Sequence, residues 1–321
     1  MTAETKQNLA RFGLMVVVYL IFASSIPSYY SVPGIAALLD SAVLAGIIAI
    51  GVGLTMLAGE MDLSVGSMAA FAGILSVLLF PLGIVPALVL VVVFCGLLGA
   101  LQGYCIYRLN ISSMVFTIGT LIALRGLTLV LSKEKTVLIP FEKVSEIDFL
   151  SAKFFVFSIP SVALIALVLM VDFFSRRILW GREIFAIGGG RAEARAAGVS
   201  IQRPIVVAFS ISAALAGLAG SLLSLRTGSA SPLGFESVLL EAVTVCLIGG
   251  IALAGGRGSI LGVFIGLFTI RFLVSGIAAL GAPFWMQSLA TGALLILVII
   301  AEAAIRYIAQ RRRFALAAKM A

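Results

Sequence analysis

Apolar runs of about 20 residues recur along the whole chain, the length a helix needs to cross a membrane. They lack the strict alternation of a membrane barrel strand. Ten such stretches predict ten helical spans, near 12–27, 36–57, 63–81, 84–107, 112–132, 155–175, 205–224, 237–254, 258–279 and 284–305. Short breaks bearing glycine or proline separate most of them, as at Ser28 to Gly34, Pro81 to Gly83 and Gly281 to Pro283. The first run lacks a clear cleavage site and more spans follow it, so it is expected to be a span and not a removed signal. The expected fold is an all-α polytopic membrane protein of about ten transmembrane helices, with residues 1–321 forming a single domain.

Composition agrees. The chain is 62% hydrophobic and 11% charged, against roughly 25% charged residues in a soluble domain. A net charge of +8 does not point to nucleic acid, because the bases are not clustered with interleaved aromatics. They follow topology. With the N-terminus in the cytoplasm, 15 of the 22 basic residues fall in cytoplasmic segments and five, Lys133, Lys135, Lys143, Lys153 and Arg226, fall outside. That bias, with an even span count, predicts both termini inside. Cys95, Cys105 and Cys246 sit within apolar runs with no paired spacing and are expected to be small buried hydrophobes. There is no histidine, so the commonest proton-handling and metal-binding side chain is absent.

Three polar stretches interrupt this pattern. The first, LAGEMDLSVGS from Leu57 to Ser67, sets Glu60 and Asp62 in a break between two apolar runs, with Ser64, Gly66 and Ser67 close behind. Carboxylates near a bilayer core are costly unless satisfied. Asp62 is expected to cap span three at the inner membrane face, accepting backbone N–H bonds and complementing the helix dipole; a contact with a partner or a gate is the alternative, and nothing nearby supports catalysis. The second, 133–154, is the one sizeable outer connection, either a short amphipathic helix or lid or a solvated loop. The third, 176–204, is a long inner connection in which Gly188 to Gly190 break the chain, RAEARAA forms about two helical turns and Gly198 ends them. On composition alone it is either a docking helix or a solvated basic loop.

The motifs carry a family resemblance. GEMDLSVGS resembles the signature of the ribose-type sugar permeases, the membrane subunits of bacterial ATP-binding-cassette importers. GREIFAIGGGRAEARAAGV resembles that family's glycine-rich inner segment, followed in order by SISAALAGLAG, EAVTVCLIGG and LAGGRGSILGVFIG. Met61 stands where isoleucine is usual, and Gly190 or Arg191 where asparagine is common. The resemblance implies a multi-pass inner-membrane permease for a monosaccharide or similar small polar solute. It implies a second permease subunit, two cytoplasmic ATP-binding-cassette domains, a periplasmic sugar-binding protein and membrane lipid as partners. ATP and Mg would be bound by the ATPase subunits, since this chain has no GxxxxGK[ST] loop. The helix from Arg191 to Gly198, with Glu193 and Arg195, would be the coupling element to those subunits.

Charges inside spans remain. Arg125 and Arg271 fall mid-span, with Glu241 and Asp40 as candidate partners. A solute path lined by small hydroxylated residues would draw on Ser112, Ser113, Thr117 and Thr120. An ion-coupled secondary transporter is the alternative; it would want midplane acidic residues and discontinuous helices, whereas the acidic residues here are expected near span ends. An intramembrane enzyme would need a nucleophile–base pair that the chain does not display.

Overall fold

The computed structural model describes residues 3–320; residues 1, 2 and 321 lie outside it. Among the described residues, eight helices are long and apolar enough to cross a membrane. They are α1 (Ala3–Ser25), α2 (Val32–Leu57), α4 (Ile84–Leu109), α5 (Ser113–Ser132), α6 (Ile159–Arg177), α9 (Gln202–Thr227), α11 (Ile260–Ala279) and α12 (Phe284–Met320). Local chemistry sets several starts. The hydroxyls of Ser31 and Ser259 accept the backbone N–H of Gly34 and Gly262, and Ser158 and Ser161 form a reciprocal capping box at α6.

Two of the ten expected spans are not full crossings. Spans 63–81 and 237–254 become α3 (Val65–Leu78) and α10 (Val238–Ile248), short helices that begin inside the bundle. Non-helical chain leads into each: residues 58–64 rise from the end of α2, and the turns of residues 231–237 follow α9. The two starts meet at one level, since a Cβ added to Gly66 would stand 2.9 Å from the Phe235 carbonyl oxygen. From there α3 and α10 run to opposite ends of the bundle. Hydropathy counted the apolar lead-in residues as helix, which is why both spans looked full length.

The core gathers around α9, which packs on α2, α3 and α4. Gly99 and Gly103 of α4 lie against the backbone of α9 at Phe209 and at Ile205 and Val206, the close approach that small residues permit where lipid offers no hydrophobic drive for association. One end of the bundle carries α7 (Leu179–Gly189), α8 (Arg191–Ala196) and the turn at 249–259. The glycine break expected at 188–190 is narrower than that, because α7 runs on through Gly188 and Gly189.

The opposite end carries the connection 133–158. It is neither a simple amphipathic helix nor a solvated loop. Strand β1 (Val137–Leu138) pairs antiparallel with β4 (Ser229–Ala230), a 3-10 helix spans Phe141–Leu150, and β2 (Lys153–Phe154) pairs with β3 (Phe157–Ser158). Ile139, Ile147 and Leu150 are buried against Phe80 and Leu225, so this segment is packed onto the ends of α3 and α9.

Candidate functional site: a glycine junction and a buried signature loop

Three stretches far apart in sequence meet at the α7–α8 end. The Leu57 carbonyl, last in α2, accepts the backbone N–H of Gly256 at 2.9 Å. Gly188 of α7 presses on that same carbonyl so closely that a Cβ there would collide with it. Gly255 lies on the backbone of Gly59, and Gly256 on that of Gly189. At Gly188, Gly255 and Gly256 backbone touches backbone, leaving no room for a side chain. One residue beyond, Arg191 at the start of α8 forms an ion pair with Glu60 of the signature loop. The Glu60 side chain is 7% exposed and the Arg191 side chain 50%, so half of the Arg191 side chain remains open to solvent or a partner.

Helix α8 buries Ala194 and exposes Arg191, Glu193 and Arg195. Gly198, at φ +82°, supplies the left-handed residue that ends it, as expected from the sequence. Arg191, Arg195 and Glu60 line a cavity of about 500 Å³ with Tyr107, Asn110 and Ser113.

Beyond Glu60 the signature loop climbs into the bundle. The Met61 N–H donates to Ser113 Oγ at 3.2 Å and the Leu63 N–H to Thr117 Oγ1 at 3.1 Å, so the first turn of α5 holds the loop's backbone. Thr117 is fully buried and its hydroxyl donates to the Ser113 carbonyl. Its polar atom is turned to the loop. Asp62 is 1% exposed. Its Oδ1 accepts the Ser64 N–H at 3.0 Å and the Ser64 hydroxyl at 2.6 Å, and its Oδ2 accepts the Ser212 hydroxyl at 2.9 Å. Gln102 Nε2 of α4 donates to Ser64 Oγ at 3.2 Å.

These contacts correct the place and the role expected for Asp62. It does not sit in water at the inner face, and it does not cap α3. Ser64 stands at the cap position with no side-chain cap bond, and Asp62 makes a local turn onto it instead. Ser212 is about 15 Å along α9 from Gln202 at 1.5 Å per residue, so Asp62 lies in the interior of the bundle. No basic side chain pairs with it among the described residues; hydroxyls and a backbone amide satisfy it.

The intraspan arginines are paired. Arg271 of α11 meets Glu241 of α10, the partner the sequence suggested, while Arg125 of α5 meets Glu236 just ahead of α10. Asp40 of α2 pairs with neither. It accepts from Arg226 at 2.8 Å and lies 3.1 Å from the Lys153 ammonium, with the Ser158 hydroxyl on its other oxygen.

The succession of helices, the signature loop and the glycine junction can now be set beside known proteins. A model of the family described as "Branched-chain amino acid transport system / permease component" matches residues 34–299. The chain belongs to that permease family. It is 30% identical to the probable ABC transporter permease protein YphD of Escherichia coli K12, over 92% of this chain and 90% of the relative. It is 28% identical to the L-arabinose ABC transporter permease protein AraH of Azospirillum brasilense, over 92% and 88% of the two chains. Identity to the D-allose transport system permease protein AlsC of Escherichia coli K12 is 30%, over 90% and 89%. No solved structure matches the chain.

The permease is therefore a multi-pass inner-membrane transport subunit of the importer class, and the ion-coupled alternative finds no support among these relatives. The premise used against that alternative does not hold as stated: Asp62 lies inside the bundle, Glu236 lies at a similar depth on an exposed face, and α3 and α10 are short helices that begin within the span. The family decides where acid placement could not. Sequence reasoning missed Ser212, Gln102 and Glu236, because each is paired across more than 30 residues or lies in a lead-in segment that hydropathy assigned to a helix.

Proposed function

We propose that this permease is the membrane subunit of an ATP-driven importer for a monosaccharide. It would pair with a second permease subunit, rest on two cytoplasmic ATP-binding-cassette domains that bind ATP and Mg, and receive solute from a periplasmic binding protein. The sugar class rests on relatives named for L-arabinose, D-allose, ribose and xylose, each aligned over most of both chains. The bias of basic residues puts the α7–α8 end, and both termini, in the cytoplasm.

The observation that carries the coupling part of this reading is the Arg191–Glu60 ion pair beside the glycine junction. Helix α8 offers Arg191, Glu193 and Arg195 to a partner, and the same Arg191 grips the loop that leads into α3. A displacement of α8 by closing ATPase domains has no soft side chain to absorb it, because Gly188, Gly255 and Gly59 put backbone against backbone. The motion passes to α2 and, through residues 58–64, to the start of α3.

The test is solute-stimulated ATP hydrolysis by the reconstituted importer. Arg191→Glu and Arg195→Glu are expected to lower stimulation while the chain still inserts, and adding Glu60→Arg to Arg191→Glu is expected to restore part of the loss. Stimulation unchanged in both charge reversals would refute the role given to α8.

A further inference from the structure

One ion pair in the bundle is open where its surroundings should be closed. Arg125 is the thirteenth residue of the 20-residue α5, about 18 Å along it at 1.5 Å per residue. Glu236 precedes α10 at the level where Gly66 opens α3. Both charges thus lie deep within the spanning part of the permease. Their side chains are nevertheless 40% and 56% exposed. The non-helical segment beside them is open too, with Leu233 51% exposed and Gly234 and Ser237 also at the surface.

Lipid tolerates neither feature. A charged side chain in hydrocarbon is expensive, and irregular backbone at membrane depth survives only where it is buried in protein or lines a water-filled cavity. This face therefore fronts a water-filled cavity or another protein chain, not lipid. A cavity of about 290 Å³ opens there, walled by Ser67 and Ala70 of α3, Leu121 of α5, Leu239 of α10 and the ion pair itself.

The chemistry of the pair narrows what the cavity takes. A guanidinium has five N–H donors and a carboxylate about four acceptor positions. Their mutual contact uses a small part of that capacity, and the exposed remainder faces the cavity. The pair is electroneutral, so it concentrates neither anions nor cations. Donors and acceptors side by side match adjacent hydroxyls, each of which can give one proton and accept another. The Ser67 hydroxyl adds a further partner, while Leu121 and Leu239 offer an apolar wall to the C–H face of a ring.

We infer that the Arg125–Glu236 cavity is a transient binding station for a neutral polyhydroxylated solute midway through the membrane, Arg125 donating to and Glu236 accepting from neighbouring hydroxyls. The inference rests on the importer reading above and adds to it the place where this chain itself touches the solute.

The test uses the intact importer in proteoliposomes and uptake of radiolabelled D-ribose, L-arabinose, D-xylose and D-allose. Arg125→Gln and Glu236→Gln are each expected to lower the uptake rate about tenfold or more, with the assembled complex recovered at the parental yield. Leu121→Trp, which fills the cavity and leaves both charges in place, is expected to do the same; it also keeps the test alive should either charge variant assemble poorly. Loss of uptake in Arg125→Gln with parental uptake in Leu121→Trp would make the pair structural and overturn the station. Parental uptake in all three variants would overturn it as well. An unmodified importer that moves none of the four sugars would instead overturn the importer reading, and the station with it.

Discussion

The two arginine–glutamate pairs on either side of α10 have the same chemistry and similar depth, yet opposite surroundings. Arg271 and Glu241, between α11 and α10, are 14% and 24% exposed. Arg125 and Glu236, between α5 and the lead-in to α10, are 40% and 56% exposed. The first pair is the more deeply set; it lines a cavity of about 410 Å³ with Thr244 of α10 and Gln287 and Thr291 of α12, and Arg271 Nε is buried without a hydrogen-bond partner. One guanidinium nitrogen of Arg271 holds Glu241. The second pair keeps most of its donors and acceptors free. Charge inside a membrane protein is thus not one signal but two: a closed pair ties helices together, and an open pair marks water.

The sharpest way to break this comparison is to remove half of the closed pair. Arg271→Ala would leave the mostly buried Glu241 carboxylate without its cation, and breaking such a pair by removing one partner is destabilising. Thermal unfolding of the purified permease in detergent should show a clear fall in melting temperature. A shift no larger than that of a surface substitution would mean that Glu241 reaches water, and the contrast between the pairs would fail.

Asp62 supplies the next test, since it is a closed charge with no basic partner. Asp62→Ala leaves the Ser212 hydroxyl, the Ser64 hydroxyl and the Ser64 N–H without their acceptor. Leaving such groups unsatisfied costs roughly 2 kcal/mol. Asp62→Asn keeps one carbonyl oxygen for Ser64 and turns an amide towards Ser212, whose hydroxyl can accept. It should recover at least half of the lost stability in the same melting measurement. Equal losses in the two variants would show that the negative charge itself, and not its hydrogen bonds, holds the loop.

Much of this molecule is legible in its sequence, and the gaps have physical causes. Hydropathy finds the eight long helices because burial in lipid demands length. It overextends α3 and α10 because apolar residues such as Leu63 and Leu233 occur in the non-helical lead-ins as well as in helix. Helix α8 is legible from RAEARAA and Gly198, since local propensity and a left-handed stop act within a few residues. The Arg271–Glu241 pair is legible because each residue sits in a span that places it. The junction of Gly59, Gly188 and Gly255 is not: each glycine stretch looks like a local turn, and only the packed fold shows that three turns make one contact. Exposure is likewise invisible in sequence. Nothing in the residues around Arg125 and Arg271 says which pair stays open.

The open pair gives the smallest expected effect on stability and the most discriminating one. A half-exposed ion pair in contact with water contributes about 0–1 kcal/mol, because solvent screens the attraction and already satisfies the separated partners. Arg125→Gln, Glu236→Gln and their combination should therefore melt close to the parent, with a coupling energy within that range from a double-mutant cycle. The same cycle on Arg271 and Glu241 should give a coupling of more than about 1 kcal/mol, because both partners there are more deeply set and screened less by solvent. If the Arg125–Glu236 coupling equals that of the closed pair, the cavity is dry and its openness belongs to the isolated chain alone. A second subunit would then cover it. If the coupling is near zero while uptake collapses, the pair does little for the fold, and its place in the middle of the membrane is explained by what passes it.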